Sequence, residues 1–406
     1  MACSASSQLA ASLERHKNLI ARFAGMAVFL PNGAPLARGT TLRQPALART
    51  LRAVADSSAA TFYTGALSRA VAEDLRAAGS IISAEDLARY QVEWRDPIRA
   101  TYRGYSLLTM PPPSSGATMV ETLNILEGFA PLPPFGSPQY VHLFASALQR
   151  AFIDRNSLIA DPAFARVPVN RLTDKAYAAK LRASIGARAT ATPALTTIMR
   201  DGGEGQHTTH YSVVDAAGSA VSITTTINDL YGSGVYLPTV GFFMNDEMDD
   251  FAARPGQPNE FGLVQGEQNA IQPGKRMLSS MIPTIVLDRA GRPFLILGAR
   301  GGPRIISGVT QTIVNVIDHR MSLPDAINAP RMHHQALPDT VRYEQNGLSP
   351  LLLDSLALWG YGTKLYGSGA AFSPSGNIGS VNGILRTAAG WVGYSDPRVG
   401  GRPAGY

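Results

Sequence analysis

Two threonines stand at the head of an alternating run, His207-Thr208-Thr209-His210-Tyr211-Ser212-Val213-Val214-Asp215, directly after the glycine-rich loop Asp201-Gly202-Gly203-Glu204-Gly205-Gln206. A threonine hydroxyl is a weak nucleophile near neutrality unless a base lies beside it. The α-amine of the same residue, freed by chain cleavage, is such a base. A cut between His207 and Thr208 would make Thr208 an N-terminal nucleophile. Residues 212–215, a turn at 216–219 and residues 220–226 read as a hairpin of strand-forming residues, with Thr226 and Asn228 at its far end. Taken alone, a Thr-Thr pair is ordinary strand filler, so the residues downstream must decide.

Three later patterns bear on that decision. The acidic stretch Asp246-Glu247-Met248-Asp249-Asp250 is either a solvated turn or a set of acceptors for a cationic group. Gly298-Ala299-Arg300-Gly301-Gly302-Pro303 lies between a strand, FLILG, and a helix, RIISGVTQTIVNVID. Its amides could face an oxyanion or a phosphate, or simply turn the chain. His333 and His334 are adjacent, so on a strand or helix they point in different directions, and with no carboxylate–histidine spacing nearby no metal site is expected.

The elements that must position these residues are legible in outline. Residues 8–22 read as a short amphipathic helix, AVFLPNGAPL as a hairpin about Asn32-Gly33, and PALARTLRAVAD and FYTGALSRAVAEDLRAAG as helices. Ser83 with Asp86 gives a capping-box start to the next helix. YRGYSLLTMPPPSSGATMVETLNILEGF reads as a strand, a proline-serine turn with Ser114 or Ser115 capping, then a helix. The strongest apolar periodicity is in QYVHLFASALQRAFIDRNSLIADP, ended by Asp161-Pro162. Residues 186–206 are polar and read as an exposed linker leading to the cleavage point.

Composition narrows the class. The chain has 406 residues, 45% of them hydrophobic and 16% charged, enough for one large or two coupled domains with a sizeable core. Its net charge of +6 comes from scattered arginines without interleaved aromatics, which argues against nucleic acid as a partner. One cysteine, Cys3, excludes an intrachain disulfide and a thiolate cluster. No run of about 18 apolar residues suggests a membrane span. Glu14, Arg15, His16 and Lys17 interrupt the N-terminal segment too early for a secretory leader, leaving the cytoplasm as the default expectation.

The segments TTHYSVVDAAGSAVSITTTIN, YGSGV, FFMNDEMDDFAARPGQPNEFGLV, KRMLSSMIPTIV, GARGGPRII and NAPRMHHQ, in this order, resemble the gamma-glutamyltranspeptidase family, the glutathione hydrolases. The likeness runs from about residue 23 to residue 406. It implies an α+β, N-terminal nucleophile hydrolase fold, an αββα four-layer sandwich that is incomplete here on its N-terminal side. It also implies self-cleavage into a large-subunit region, 1–207, and a small catalytic region, 208–406, which stay together as a heterodimer. The implied reaction hydrolyses glutathione or another γ-glutamyl amide, or passes the acyl group to an amino acid or dipeptide, without a cofactor.

By the same resemblance Thr208 is the nucleophile, Thr226 orients it, and Gly301 and Gly302 form the oxyanion hole. Asn228, Glu247 and Asp250 take the substrate α-ammonium, and Ser279 and Ser280 donate to its α-carboxylate. Phe261 stands in a lid loop where relatives commonly carry tyrosine, which leads us to expect a more loosely latched lid. Full-length relatives carry a further stretch ahead of this one, with a GGGG segment, sheet strands and an arginine for the α-carboxylate. The expectation is therefore a chain completed by a further segment, in cis or as a separate polypeptide. A cephalosporin or glutaryl acylase on the same scaffold and a non-catalytic remnant are the alternatives.

Overall fold

The structure, a computed structural model, describes residues 2–192, 208–366 and 377–405. It divides into two compact units, a larger one of residues 95–226 and 247–406 and a smaller one of residues 1–94 and 227–246.

The larger unit is built from β1 (Ile98–Tyr102), β2 (Tyr105–Thr109), α1 (Gly116–Glu127), α2 (Pro138–Leu158), β3 (Thr208–Val214), β4 (Ala220–Thr226), β5 (Thr284–Leu287), β6 (Pro293–Arg300), α3 (Arg304–Ile317), β7 (Ser380–Thr387) and β8 (Gly390–Ser395). An antiparallel sheet runs in the order β8-β7-β6-β5-β2-β1, and β3 and β4 form a separate hairpin that packs on β6.

Strand β6 shows how the layers are sorted. Its side chains alternate faces. Leu295, Leu297 and Ala299 join the main apolar core with α1, α2 and α3, whereas Gly298 lies against the hairpin, where His210 sits. Helices α1 and α3 are buried around almost their whole circumference, as expected of helices without a solvent face. On the far face of the hairpin, Tyr211, Val213 and Val221 are exposed. Helices, large sheet and hairpin thus stack in sequence. No helix among the described residues is long and apolar enough to cross a membrane.

In the smaller unit the helix Ser7–Ile20 is capped by Ser6, and helices Pro45–Ser57 and Ala66–Ala77 follow. Helix Ala84–Arg89 carries the expected reciprocal box between Ser83 and Asp86. The hairpin expected at Asn32-Gly33 is absent. Both residues do take positive φ, 58° and 78°, but they lie within a helical turn, Pro31–Gly33, that follows another, Met26–Phe29. The strand partner of Thr41–Arg43 is Ala2–Ser4. Segment 227–246 folds onto this unit: Tyr231, Tyr236 and Phe243 surround Phe29, and Asp74 accepts from the amide and hydroxyl of Thr239. The spatial division therefore differs from the expected covalent one at residues 207 and 208, because residues from both sides of that point build the smaller unit.

Candidate active site

Thr208 opens β3 and lies opposite Thr226, the last residue of β4. Its hydroxyl donates to Thr226 Oγ1 at 3.3 Å. Because the strand period is two, the same inner face carries His210 opposite Thr224 and Ser212 opposite Ser222. His210 Nδ1 lies 2.9 Å from Thr224 Oγ1 and Nε2 lies 3.0 Å from Ser212 Oγ. The result is a ladder of hydroxyls and one imidazole running away from Thr208. Burial holds the His210 imidazole neutral, lowering its pKa to about 4.

The ladder is fixed to the large sheet at three points. Ser222 Oγ donates to Leu297 O (3.0 Å), Asn382 Nδ2 donates to His210 O (2.9 Å), and the His210 ring lies over Gly298, leaving no room for a Cβ there. Gly298 and Asn382 are register partners on β6 and β7. Both Gly301 and Gly302 lie just beyond this crossing and have φ of 132° and 56°. A Cβ on Gly301 would meet the backbone of Gly379 at 2.8 Å, so only glycine fits there. Their amides precede the first turn of α3, ahead of any intrahelical acceptor.

The serine pair is assembled by a different set of residues. Pro113 O accepts from the Ser279 amide (2.8 Å), Ser115 Oγ donates to Ser279 O (2.6 Å), and Ser114 Oγ donates to Met281 O. Neither Ser114 nor Ser115 caps α1, as the sequence suggested, because their hydroxyls are used across the turn instead. Beneath them Arg155 of α2, buried to 1% exposure, donates from Nη2 to Ser280 Oγ (2.9 Å), from Nε to Ser115 Oγ (2.9 Å) and from Nη1 to Asn156 Oδ1 (3.2 Å). Ser279 Oγ accepts from the Met281 amide (3.2 Å). Each serine oxygen in the pair therefore already accepts from a protein N–H, which leaves its own hydrogen to be donated.

Glu247 and Asp250 begin and end one short helical turn, Glu247–Asp250, and Asp250 is buried. The Asp246 amide donates to Ile227 O (3.2 Å), so β4 ends and this turn begins side by side. Asn228 belongs to the smaller unit, where it has φ 68° and its side-chain amide donates to Asp246 O (3.4 Å). Phe261, expected in a lid, is a core residue at 2% exposure. Its carbonyl accepts from Gln335 Nε2 (3.0 Å), and its loop is tied to Asp249 through Asn259 and Glu260. His333 and His334 have separate partners: Ser307 and Gln335 for one, Asp339 for the other. His207 and residues 193–206 lie outside the described residues.

Sequence reasoning passed over His210, Thr224, Gly298, Asn382 and Arg155. His210 and Thr224 could have been found from the two-residue period starting at Thr208 and Thr226. Arg155 carried a signal too, as a charge within the most apolar helical pattern of the chain. The contacts of Gly298 and Asn382 are long-range and have no local signature.

A hydroxyl-headed hairpin laid across a larger antiparallel sheet backed by helices is the fold of the N-terminal nucleophile hydrolases. More particularly, the chain belongs to the gamma-glutamyltranspeptidase family, whose model matches residues 3–406. It is 42% identical over 388 residues to the glutathione hydrolase proenzyme of Escherichia coli K12, covering 94% of this chain and 64% of that protein. Against the acylase ACY 1 proenzyme of Pseudomonas sp. SE83 it is 43% identical over 316 residues, covering 77% and 54%. The solved cephalosporin acylase of Bacillus halodurans superposes with a TM-score of 0.82 at 26% identity, over 98% of this chain and 70% of that one. The chain thus spans somewhat under two thirds of the length of glutathione hydrolase relatives such as those of E. coli and Pseudomonas sp. A14, 64% and 63% respectively.

Proposed function

We propose that this chain carries a γ-glutamyl acyl-transfer site that hydrolyses glutathione or related γ-glutamyl amides and transfers the acyl group to amino acids or dipeptides. The observation that carries this reading is the serine pair. Ser279 and Ser280 both have their oxygens occupied by protein donors, so both present O–H groups, which suits an anionic α-carboxylate. Asp250 and Glu247 supply the complementary acceptors for the α-ammonium.

In the uncut chain the Thr208 hydroxyl attacks the carbonyl of His207, and collapse of the adduct breaks the C–N bond, freeing the Thr208 amine and leaving an ester; water then hydrolyses that ester, releasing the His207 carboxylate and restoring the Thr208 hydroxyl. The large and small pieces then remain associated. In turnover that amine takes the hydroxyl proton as Oγ bonds to the γ-carbonyl carbon, while Thr226 orients the hydroxyl. The amides of Gly301 and Gly302 receive the oxyanion. Collapse of the tetrahedral species expels the amine, which leaves with the proton from the Thr208 ammonium. Water or an acceptor amine then attacks the γ-glutamyl ester and regenerates the threonine.

The test is cleavage followed by a substrate panel. Wild type should split between His207 and Thr208, as seen by denaturing electrophoresis and N-terminal sequencing, while Thr208→Ala stays whole. The processed protein should hydrolyse γ-glutamyl anilide well ahead of glutaryl anilide. Equal rates on the two amides would assign the site to an acylase, and a wild-type chain that never splits would remove the nucleophile.

A further inference from the structure

The carboxylate end of the site has a buried cation, Arg155. Arg155 reaches Ser280 directly and Ser279 through the Ser115 hydroxyl, which itself donates to Ser279 O. All of its hydrogen-bond acceptors among the described residues are neutral oxygens, those of Ser115, Asn156 and Ser280. Asp250 is the carboxylate whose charge it feels. Burial lowers its pKa to about 10, so it is still a cation at neutral pH. A guanidinium has donors only. It therefore forces Ser280 Oγ to accept and turns the serine hydrogen away from the core.

We propose that Arg155 is a positioning residue that makes Ser280 an obligate donor and places a positive charge behind the serine pair, so that the pocket selects ligands with an α-carboxylate. This rests on the γ-glutamyl reading of the site. The buried guanidinium feels the charge of Asp250, an acceptor for the ligand's ammonium, and bonds Ser280, a donor for its carboxylate. It acts through Ser280 and Ser115 and need not touch the ligand.

The test is calorimetric binding of three probes to the full 406-residue chain: L-glutamate, 4-aminobutyrate, which lacks the α-carboxylate, and glutarate, which lacks the α-ammonium. Wild type should prefer L-glutamate to both. Arg155→Met should weaken L-glutamate by about tenfold or more, the size of a lost hydrogen bond to a charged group, and leave 4-aminobutyrate unchanged. Ser280→Ala should do the same, and the double variant should be no weaker than either single one, because the two act as one unit. Arg155→Lys keeps the charge but cannot bond Ser115 and Ser280 together, and should give an intermediate, carboxylate-selective loss. If Arg155→Met fails to fold, the lysine variant carries the test alone.

Unchanged L-glutamate binding in a folded Arg155 variant, or an equal loss for L-glutamate and 4-aminobutyrate, would overturn the proposal while leaving the γ-glutamyl reading intact. A wild type that binds the three probes alike would overturn that reading, and this proposal with it.

Discussion

At one end of the proposed site, the Thr208 hydroxyl meets a single hydroxyl, that of Thr226, and its strand is paired only with β4 among the described residues. At the other end, Ser279 and Ser280 are held by Pro113, Ser114, Ser115 and Arg155, reached from α2 and from the turn between β2 and α1. The end that must change its covalent structure is fixed to the large sheet through His210 and Ser222, further along the hairpin, and the end that must recognise a fixed ligand is braced at the serines themselves. Preorganised donors are worth most where charge is to be met without rearrangement, and a nucleophile that is also a cleavage product needs room to move.

The reacting end should be the easier to break. Gly298→Ala would put a Cβ 2.3 Å from the His210 ring, closer than any packed contact allows. The hairpin must shift, at a cost of about 1–3 kcal/mol or more. Since Thr208 is two residues from His210, cleavage at Thr208 should stop, with the effect read by electrophoresis and thermal melting. Cleavage at the wild-type rate would show that the Gly298 crossing does not set the nucleophile.

Asp250→Ala tests the prebuilt end. Removing a carboxylate from a desolvated pair costs about 2–5 kcal/mol, so kcat/KM for a γ-glutamyl anilide should fall about thirtyfold or more. Glutaryl anilide, which lacks the ammonium, should lose far less. Equal losses on the two substrates would mean that Asp250 serves the fold and not the ammonium.

The ladder beneath Thr208 also makes a pH-dependent contribution. Burial lowers the His210 pKa from its ordinary 6.5 to about 4, so between these values the unfolded chain binds a proton that the folded one does not. Its share of stability is constant above about pH 6.5 and falls by about 1.4 kcal/mol per pH unit below it, reaching roughly 3 kcal/mol at pH 4. Burial also lowers His142, His319 and His333, so the readout is a difference in slope. Urea unfolding of wild type and His210→Asn between pH 7 and 4 should show the shallower slope in the variant. Parallel slopes would mean that the imidazole is not buried neutral.

What could be read from the sequence follows from where the physics is local. Ser83 and Asp86 form their capping box because both partners lie within one turn. The positive φ of Asn32 and Gly33 was legible as turn chemistry, yet no local rule fixed what flanked it, and helical turns took the place of strands. Thr208 and Thr226 came together because a hairpin register is a short-range property. Ser114 and Ser115 were misread as caps because the acceptors that claim them, on Met281 and Ser279, are more than 160 residues away. The partner of Arg155 stayed hidden for the same reason, Ser280 being 125 residues distant.

The smallest of these effects discriminates most sharply between the two ends. Ser114 is 3% exposed and its hydroxyl donates to Met281 O, while the Met281 amide donates to Ser279 Oγ. Ser114→Ala removes that donor and leaves a carbonyl less well satisfied, a change of about 1 kcal/mol. The loss should fall on the orientation of Ser279, raising KM for a γ-glutamyl anilide by about threefold to fivefold with kcat and cleavage at Thr208 unaltered. If instead kcat fell while KM held, the turn at residues 110–115 would be supporting the reacting end, and the contrast between a tethered nucleophile and a braced binding pair would be wrong.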